Sequence, residues 1–307
     1  MSRVFRGVLS LVVAAFVAEI ASLRAGTIYV SLMTANVVEK FGSNGTDQGA
    51  FAKFGLNDPA GIAFDSAGNL YVANRGDDSI RRFNSSGAFL GTFTSSNLSL
   101  PEALAFDTSG NLYVASFGSN SILKFDTAGV STVFASLSGV YGLTFDNSGN
   151  LYASSLTANL VEEFNSAGAD LGVFANSGLN GPTGLAIDTA GNLYVANSSD
   201  NHIEKFDSSG TGSFFAGFPP VDSPIGLAFD SGGNLYVANA GASDILKFNP
   251  AGNSSIFANT PNALPWFLAA RPQAQVVPDS SPSCVLFGLG VVFVLASGCF
   301  FQRIRMR

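Results

Sequence analysis

Cysteine is almost absent from this chain, with two in 307 residues, Cys284 and Cys299, both close to the C-terminus. The long segment before them therefore has neither a disulfide framework nor a cysteine metal site to hold it. Histidine is scarcer still. His202 is the only one, and it opens a strand-like run whose counterparts begin with Ser79, Ser121, Leu160 and Asp244, so it reads as a solvated strand-end residue rather than a general base. Charge is sparse at 12% of residues, and six of the 15 basic residues lie at the ends: Arg3, Arg6, Arg24, Arg303, Arg305 and Arg307. Setting those and Glu19 aside leaves 9 basic against 21 acidic residues, about −12 for the body. Such a balance excludes a nucleic-acid partner, which needs clustered Lys and Arg to displace counterions.

What the chain has in abundance is one phrase. Asp188-Thr-Ala-Gly-Asn-Leu-Tyr-Val-Ala-Asn197 returns nearly unchanged from Asp65, Asp107, Asp146 and Asp230. Steps of 39 to 42 residues mark a repeat protein with one supersecondary unit per repeat. Asp-x-x-Gly-Asn is turn chemistry: the aspartate caps its own turn and the glycine supplies a positive φ. Short apolar runs stand on both sides of it, such as Gly61-Ile-Ala-Phe64 and Leu-Tyr-Val-Ala, too short for helices and rich in strand formers. A third run, such as Asp244-Ile-Leu-Lys-Phe248, ends in a second Asx turn, and a fourth closes the unit with Phe93, Phe134, Phe174, Phe215 or Phe257. Each repeat is thus a four-stranded antiparallel meander of the size of one propeller blade.

Five complete blades run from about Asn57 to Ala258, and the remainders complement each other. Gly26-Thr-Ile-Tyr-Val30, Val37-Val-Glu-Lys-Phe41 and Ala50-Phe-Ala-Lys-Phe54 match second, third and fourth strands; Leu264-Pro-Trp-Phe-Leu-Ala-Ala270 matches a first strand. An all-β, six-bladed propeller closed by one C-terminal and three N-terminal strands follows, since closure removes the exposed edges of an open array. The chain is expected to be a monomer.

Pro-x-Gly-[Ile/Leu]-Ala-Phe-Asp, Gly-Asn-Leu-Tyr-Val-Ala-Asn and Ile-x-Lys-Phe-Asp resemble the NHL repeat, in a body (26–271) similar to bacterial NHL-type and gluconolactonase-like six-bladed propellers. In a meander ring the uniform turns share one face, and the variable loops share the other, where a site belongs. The residue at the start of each first strand, between Pro and Gly in the common form, is placed at the channel mouth: Ala60, Glu102, Tyr141, Thr183, Ile225 and Trp266, where the blade of Tyr141 lacks the Pro and that of Trp266 the Gly, with Arg75, Asp77, Asp78, Phe117, Asp200 and His202 behind. The resemblance implies, as one reading, a calcium-dependent lactonase whose metal is held at that mouth by Glu, Asp and Asn side chains. A hard cation wants about six oxygen ligands, and this ring offers one carboxylate, Glu102, and one hydroxyl, Thr183. The expectation is therefore no catalytic residue, metal or cofactor, with calcium the one to test, and with Glu102, Tyr141 and Trp266 as contacts for a small apolar or sugar-like ligand. Glu102 itself reads as an acid satisfied by water or backbone amides.

Residues 1–25 read as a secretory signal: Arg3 and Arg6, the apolar run Gly7 to Ala18, and a cut after Ala25. After Arg271 comes a Pro, Ser and Gln linker, 272–283, then the apolar run Val285 to Phe301, followed by Arg303, Arg305 and Arg307. This is the pattern of a transmembrane helix (284–307) with its C-terminus held inside. Val277-Pro278-Asp279-Ser280-Ser281 resembles the VPDSG form of the PEP-CTERM sorting signals, which implies an exosortase-type enzyme and the inner membrane as partners during export. The expected function is a surface-displayed, non-enzymatic propeller with a binding, adhesive or structural role, whose ligand is a surface polysaccharide or protein. A calcium-dependent hydrolase is the alternative.

Overall fold

A computed structural model describes residues 26–271. The leader, the sorting motif and the C-terminal helix expected from the sequence lie outside the described residues. Among the described residues no helix is long and apolar enough to cross a membrane.

Twenty-four strands form six four-stranded antiparallel sheets. The first blade is β4 (Pro59–Phe64), β5 (Leu70–Asn74), β6 (Ser79–Phe83) and β7 (Phe89–Thr94). The second is β8 (Pro101–Phe106), β9 (Leu112–Ser116), β10 (Ser121–Phe125) and β11 (Ser131–Ser136). The third comprises β12 (Val140–Phe145), β13 (Leu151–Ser155), β14 (Leu160–Phe164) and β15 (Asp170–Ala175). Next come β16 (Pro182–Ile187), β17 (Leu193–Asn197), β18 (His202–Phe206) and β19 (Gly212–Gly217). The fifth blade is β20 (Pro224–Phe229), β21 (Leu235–Asn239), β22 (Asp244–Phe248) and β23 (Ser254–Asn259). In the sixth, β24 (Pro265–Ala270) joins β1 (Ile28–Leu32), β2 (Val37–Phe41) and β3 (Asp47–Ala52) in the order β24-β1-β2-β3. Tyr29 pairs with Ala269, so the ends of the body complete one blade. Each inner strand packs against the next, from β4 round to β24 and back to β4.

The repeated phrase does two jobs in this ring. Asp188 Oδ1 accepts the backbone N–H groups of Ala190 and Asn192, and its Oδ2 accepts the Asn192 amide; Asp65, Asp107, Asp146 and Asp230 repeat the pattern. Gly191 completes the turn at φ +84°, where a Cβ would be strained. The tyrosine two residues after the turn is a seam residue. Tyr71 is held edge-on between Phe93 of its own blade and Phe106 of the next, at 5.1 and 5.0 Å between ring centres. Tyr29, Tyr113 and Tyr194 are held in the same way. Edge-to-face pairs of this kind add about 0.5–1.5 kcal/mol each beyond the area they bury, so the phenylalanines join blades.

A second tie between blades repeats on the opposite face. Asn36, Asp78, Asn120, Asn159 and Asn201 each take the left-handed conformation, with φ between 52° and 57°. Their side-chain oxygens accept the N–H of Asp58, Leu100, Gly139, Gly181 and Ser223, each at the entry to the following blade. Asp78, placed behind the mouth by the sequence, belongs to this set. Asn201→Ala is expected to cost about 1–2 kcal/mol, from the lost bond and the strained φ. Chemical denaturation would check it, and an unchanged midpoint would remove the clamp reading.

Candidate functional site

The six mouth positions are the second residues of the six inner strands, at the end remote from the Asp turns. They divide by chemistry. Ala60 is fully buried at the interface of the first two blades, and Ile225 packs in the cluster that holds Tyr141. Thr183 is committed to the backbone, its hydroxyl lying 3.2 Å from the Ala196 carbonyl and 3.1 Å from that of Pro224. The other three come together. Glu102 Oε1 accepts Arg75 Nε at 2.7 Å, and its Oε2 accepts the Trp266 indole N–H at 3.4 Å from the sixth blade, two places away round the ring. The Tyr141 hydroxyl faces the same carboxylate.

Position explains this convergence. Arg75 is the first residue beyond β5, so its side chain stands over the neighbouring inner strand β8. The Glu102 side chain is 2% exposed, whereas the Arg75 side chain keeps 32% of its surface and has Asp58 4.0 Å from its Nη1. Burial pushes the Glu102 carboxyl up to about 7, outweighing the Arg75 charge and the Trp266, Arg75 and Tyr141 hydrogen bonds that favour its ionised form. Burial, then the Glu102 charge, holds Tyr141 well above the ordinary phenol range. Glu102 is thus a buried, paired acid and not one satisfied by water or backbone amides.

Sequence reasoning missed Phe267. Blades one, three, four and five carry glycine at the third inner-strand position; the second carries Ala103 and the sixth Phe267. Phe267 is buried and stacks on Tyr141 of the third blade, at 6.1 Å and 22° between rings, while Phe117 meets the far edge of Tyr141. Below the Glu102 cluster, therefore, rings from opposite blades fill the ring centre. The signal was in the sequence as a missing glycine in the closing blade.

The remaining residues placed behind the mouth do structural work. Asp77 accepts from Asn74 and Ser79 and pairs with Arg81 at 2.6 Å, and Asp200 accepts the Asn180 amide. His202 is not a solvated strand-end residue. Its Nε2 lies 2.8 Å from Asn197 Nδ2 and 3.6 Å from Glu204 Oε2, and its ring stacks on Phe214. It pairs with Asn197 of β17 on one side and Gly217 of β19 on the other, in β18, the third strand of its blade. Burial raises the Glu204 carboxyl, partly offset by His202. Among the described residues no three His, Cys, Asp or Glu side chains converge as a metal site would require.

Residues 179–206, which run from the entry of the fourth blade through β18, match the NHL repeat family. The chain carries an NHL repeat. No curated protein matches the sequence. Among solved structures, a nidogen/laminin complex superposes with a TM-score of 0.73 at 18% identity, covering 80% of this chain and 98% of that one. Virginiamycin B lyase from Staphylococcus aureus gives 0.58 at 18% identity, over 68% of this chain and 73% of that one. A streptogramin B lyase gives 0.59 at 18% identity, over 78% and 76%. These likenesses share the propeller fold with a binding complex and with lyases.

Proposed function

We propose that this NHL-repeat propeller is an exported, surface-displayed binding module, non-enzymatic, whose ligand meets the loop face around Arg75, Trp266 and Glu102. One observation carries the reading. Both ends of the body leave from the Asp-turn face, opposite the mouth. At Gly26 a Cβ would lie 3.7 Å from the Cβ of Asp230, the turn residue of the fifth blade. At the other end, Arg271 N–H bonds the Thr27 carbonyl, and its guanidinium bonds the Ser85 carbonyl in a turn of the first blade. A tail that anchors or sorts the chain through Val277-Pro278-Asp279-Ser280 and Arg303, Arg305 and Arg307 would start from the turn face and leave the mouth, with its half-exposed arginine beside a tryptophan, unencumbered.

The chemistry of the mouth supports a sugar or a small acidic group as ligand. The Trp266 ring offers a flat apolar contact, and Arg75 offers donors not used by Glu102. His202, on the third strand of its blade, is tied to Asn197 and Glu204 rather than to a mouth residue. Trp266→Ala, with an unchanged circular dichroism spectrum, is expected to weaken binding of the exopolysaccharide from the native cell by about tenfold or more, about 1.4 kcal/mol. Equal binding by both proteins would sink the mouth as the ligand surface.

A further inference from the structure

On the turn face, the seam between the first and second blades holds a cavity of about 240 Å³. Tyr71, Phe93, Phe106 and Leu112 wall it, and Asp65, Ser66, Asp126 and Thr127 supply polar atoms from two turns. Tyr71 is 6% exposed, and among the described residues its hydroxyl has no hydrogen-bond partner. In four of the other five blades the corresponding hydroxyl is engaged: Tyr113 with Asp107, Tyr152 with Glu163, Tyr194 with Asp188, Tyr236 with Asp230.

Three of those blades also show what fills the equivalent place, while in the third blade the residue beside Tyr152 is Glu163. Lys124, Lys205 and Lys247, on the strand beside the tyrosine, set their ammonium groups 5.2, 5.3 and 5.4 Å from the centres of the Tyr113, Tyr194 and Tyr236 rings. Lys124 Nζ lies 3.8 Å from Asp107 as well. In the first blade the residue beside Tyr71 is Arg82, which does not line the cavity and has no ion pair or ring contact among the described residues. The seam thus keeps the tyrosine ring, the hydroxyl and the carboxylates that hold an ammonium elsewhere in the ring, and adds Asp126 where the sibling turns of the third and fifth blades have Asn165 and Asn249.

We infer that this cavity is a binding site for a primary alkylammonium group, which takes the place that a lysine of the chain itself takes in three of the other seams. The ring face attracts the cation, Asp65 and Asp126 balance its charge, and the Tyr71 hydroxyl accepts one of its N–H donors. The probe is n-butylammonium chloride, titrated at constant ionic strength into the full chain labelled with ¹³C-tyrosine, with n-butanol as the uncharged control. The expected result is a saturable shift of the Tyr71 resonance with the cation and none with the alcohol.

Two variants keep the fold by copying sibling blades. Arg82→Lys supplies the missing internal ammonium and should abolish the shift. Asp126→Asn keeps the turn cap, as Asn165 does, and should weaken binding by about threefold or more. Titration with acetyl-Ala-Lys-Ala-amide separates the sources: binding of the peptide points to a lysine on a partner protein, and binding of butylammonium alone to free amines. No saturable shift, or wild-type affinity in either variant, would overturn the site.

Discussion

Gly184→Ala is expected to destabilise the propeller by about 3 kcal/mol or more, although the position has ordinary backbone angles and alanine is a modest addition. The reason is how closely the inner strands approach. A Cβ on Gly184 would overlap the Ile225 carbonyl oxygen of β20 and lie 2.9 Å from the Gly226 Cα. All of these atoms are backbone, so no side chain can swing aside. Gly61 meets the Glu102 carbonyl in the same way, and Gly142 that of Thr183. Gly191→Ala is the control: nothing lies within 4 Å of its Cβ, so only the strain of φ +84° remains, about 1–2 kcal/mol. Denaturation of the two variants side by side checks the comparison. Equal losses would mean that the inner strands are not held at the separation described.

Glu102 should make the stability of the ring fall as pH rises. Its carboxyl titrates near 7 in the folded chain against 4.5 as the ordinary value, so the folded state holds its proton more tightly than the unfolded state does. The contribution is complete below about pH 4.5 and is lost as pH climbs through about 7; by linkage it is on the order of 3 kcal/mol. Glu102→Gln keeps the shape and the acceptor for Trp266 but has no proton to lose. The variant should show a flatter profile from pH 5 to 8 and exceed the parent in stability at pH 8. Parallel profiles for parent and variant would remove the buried acid as the source.

Much of this was legible from residues alone, for a specific reason. Tyr29 stands 42 residues before Tyr71, and Leu264 to Ala270 has the form of a first strand without a second, so the closing blade could be assembled from period alone. The Asp turns were legible because a capped turn is local chemistry. The neighbours of Glu102 were not. Arg75 reaches it from the preceding blade and Trp266 from the sixth, on the far side of the first blade, and no spacing in the chain encodes contacts made between blades at the mouth. Phe267 stayed hidden for the same reason. The left-handed clamps had a periodic signal, but an Asx residue at a strand-connecting turn looks alike whether it points to solvent or to the next blade.

The pairing of β1 with β24 also sets an order of assembly. Three strands made at the start of the chain stay without their inner partner until some 230 further residues have been added, since Ile28 to Leu32 pairs with Pro265 to Ala270. Blades one to five can form by hairpins between neighbours in sequence, but the sixth requires the longest loop closure in the molecule. A ribosome-bound chain ending before Pro265 would therefore present the free edge of β1, and completion of the domain coincides with synthesis of its final strand.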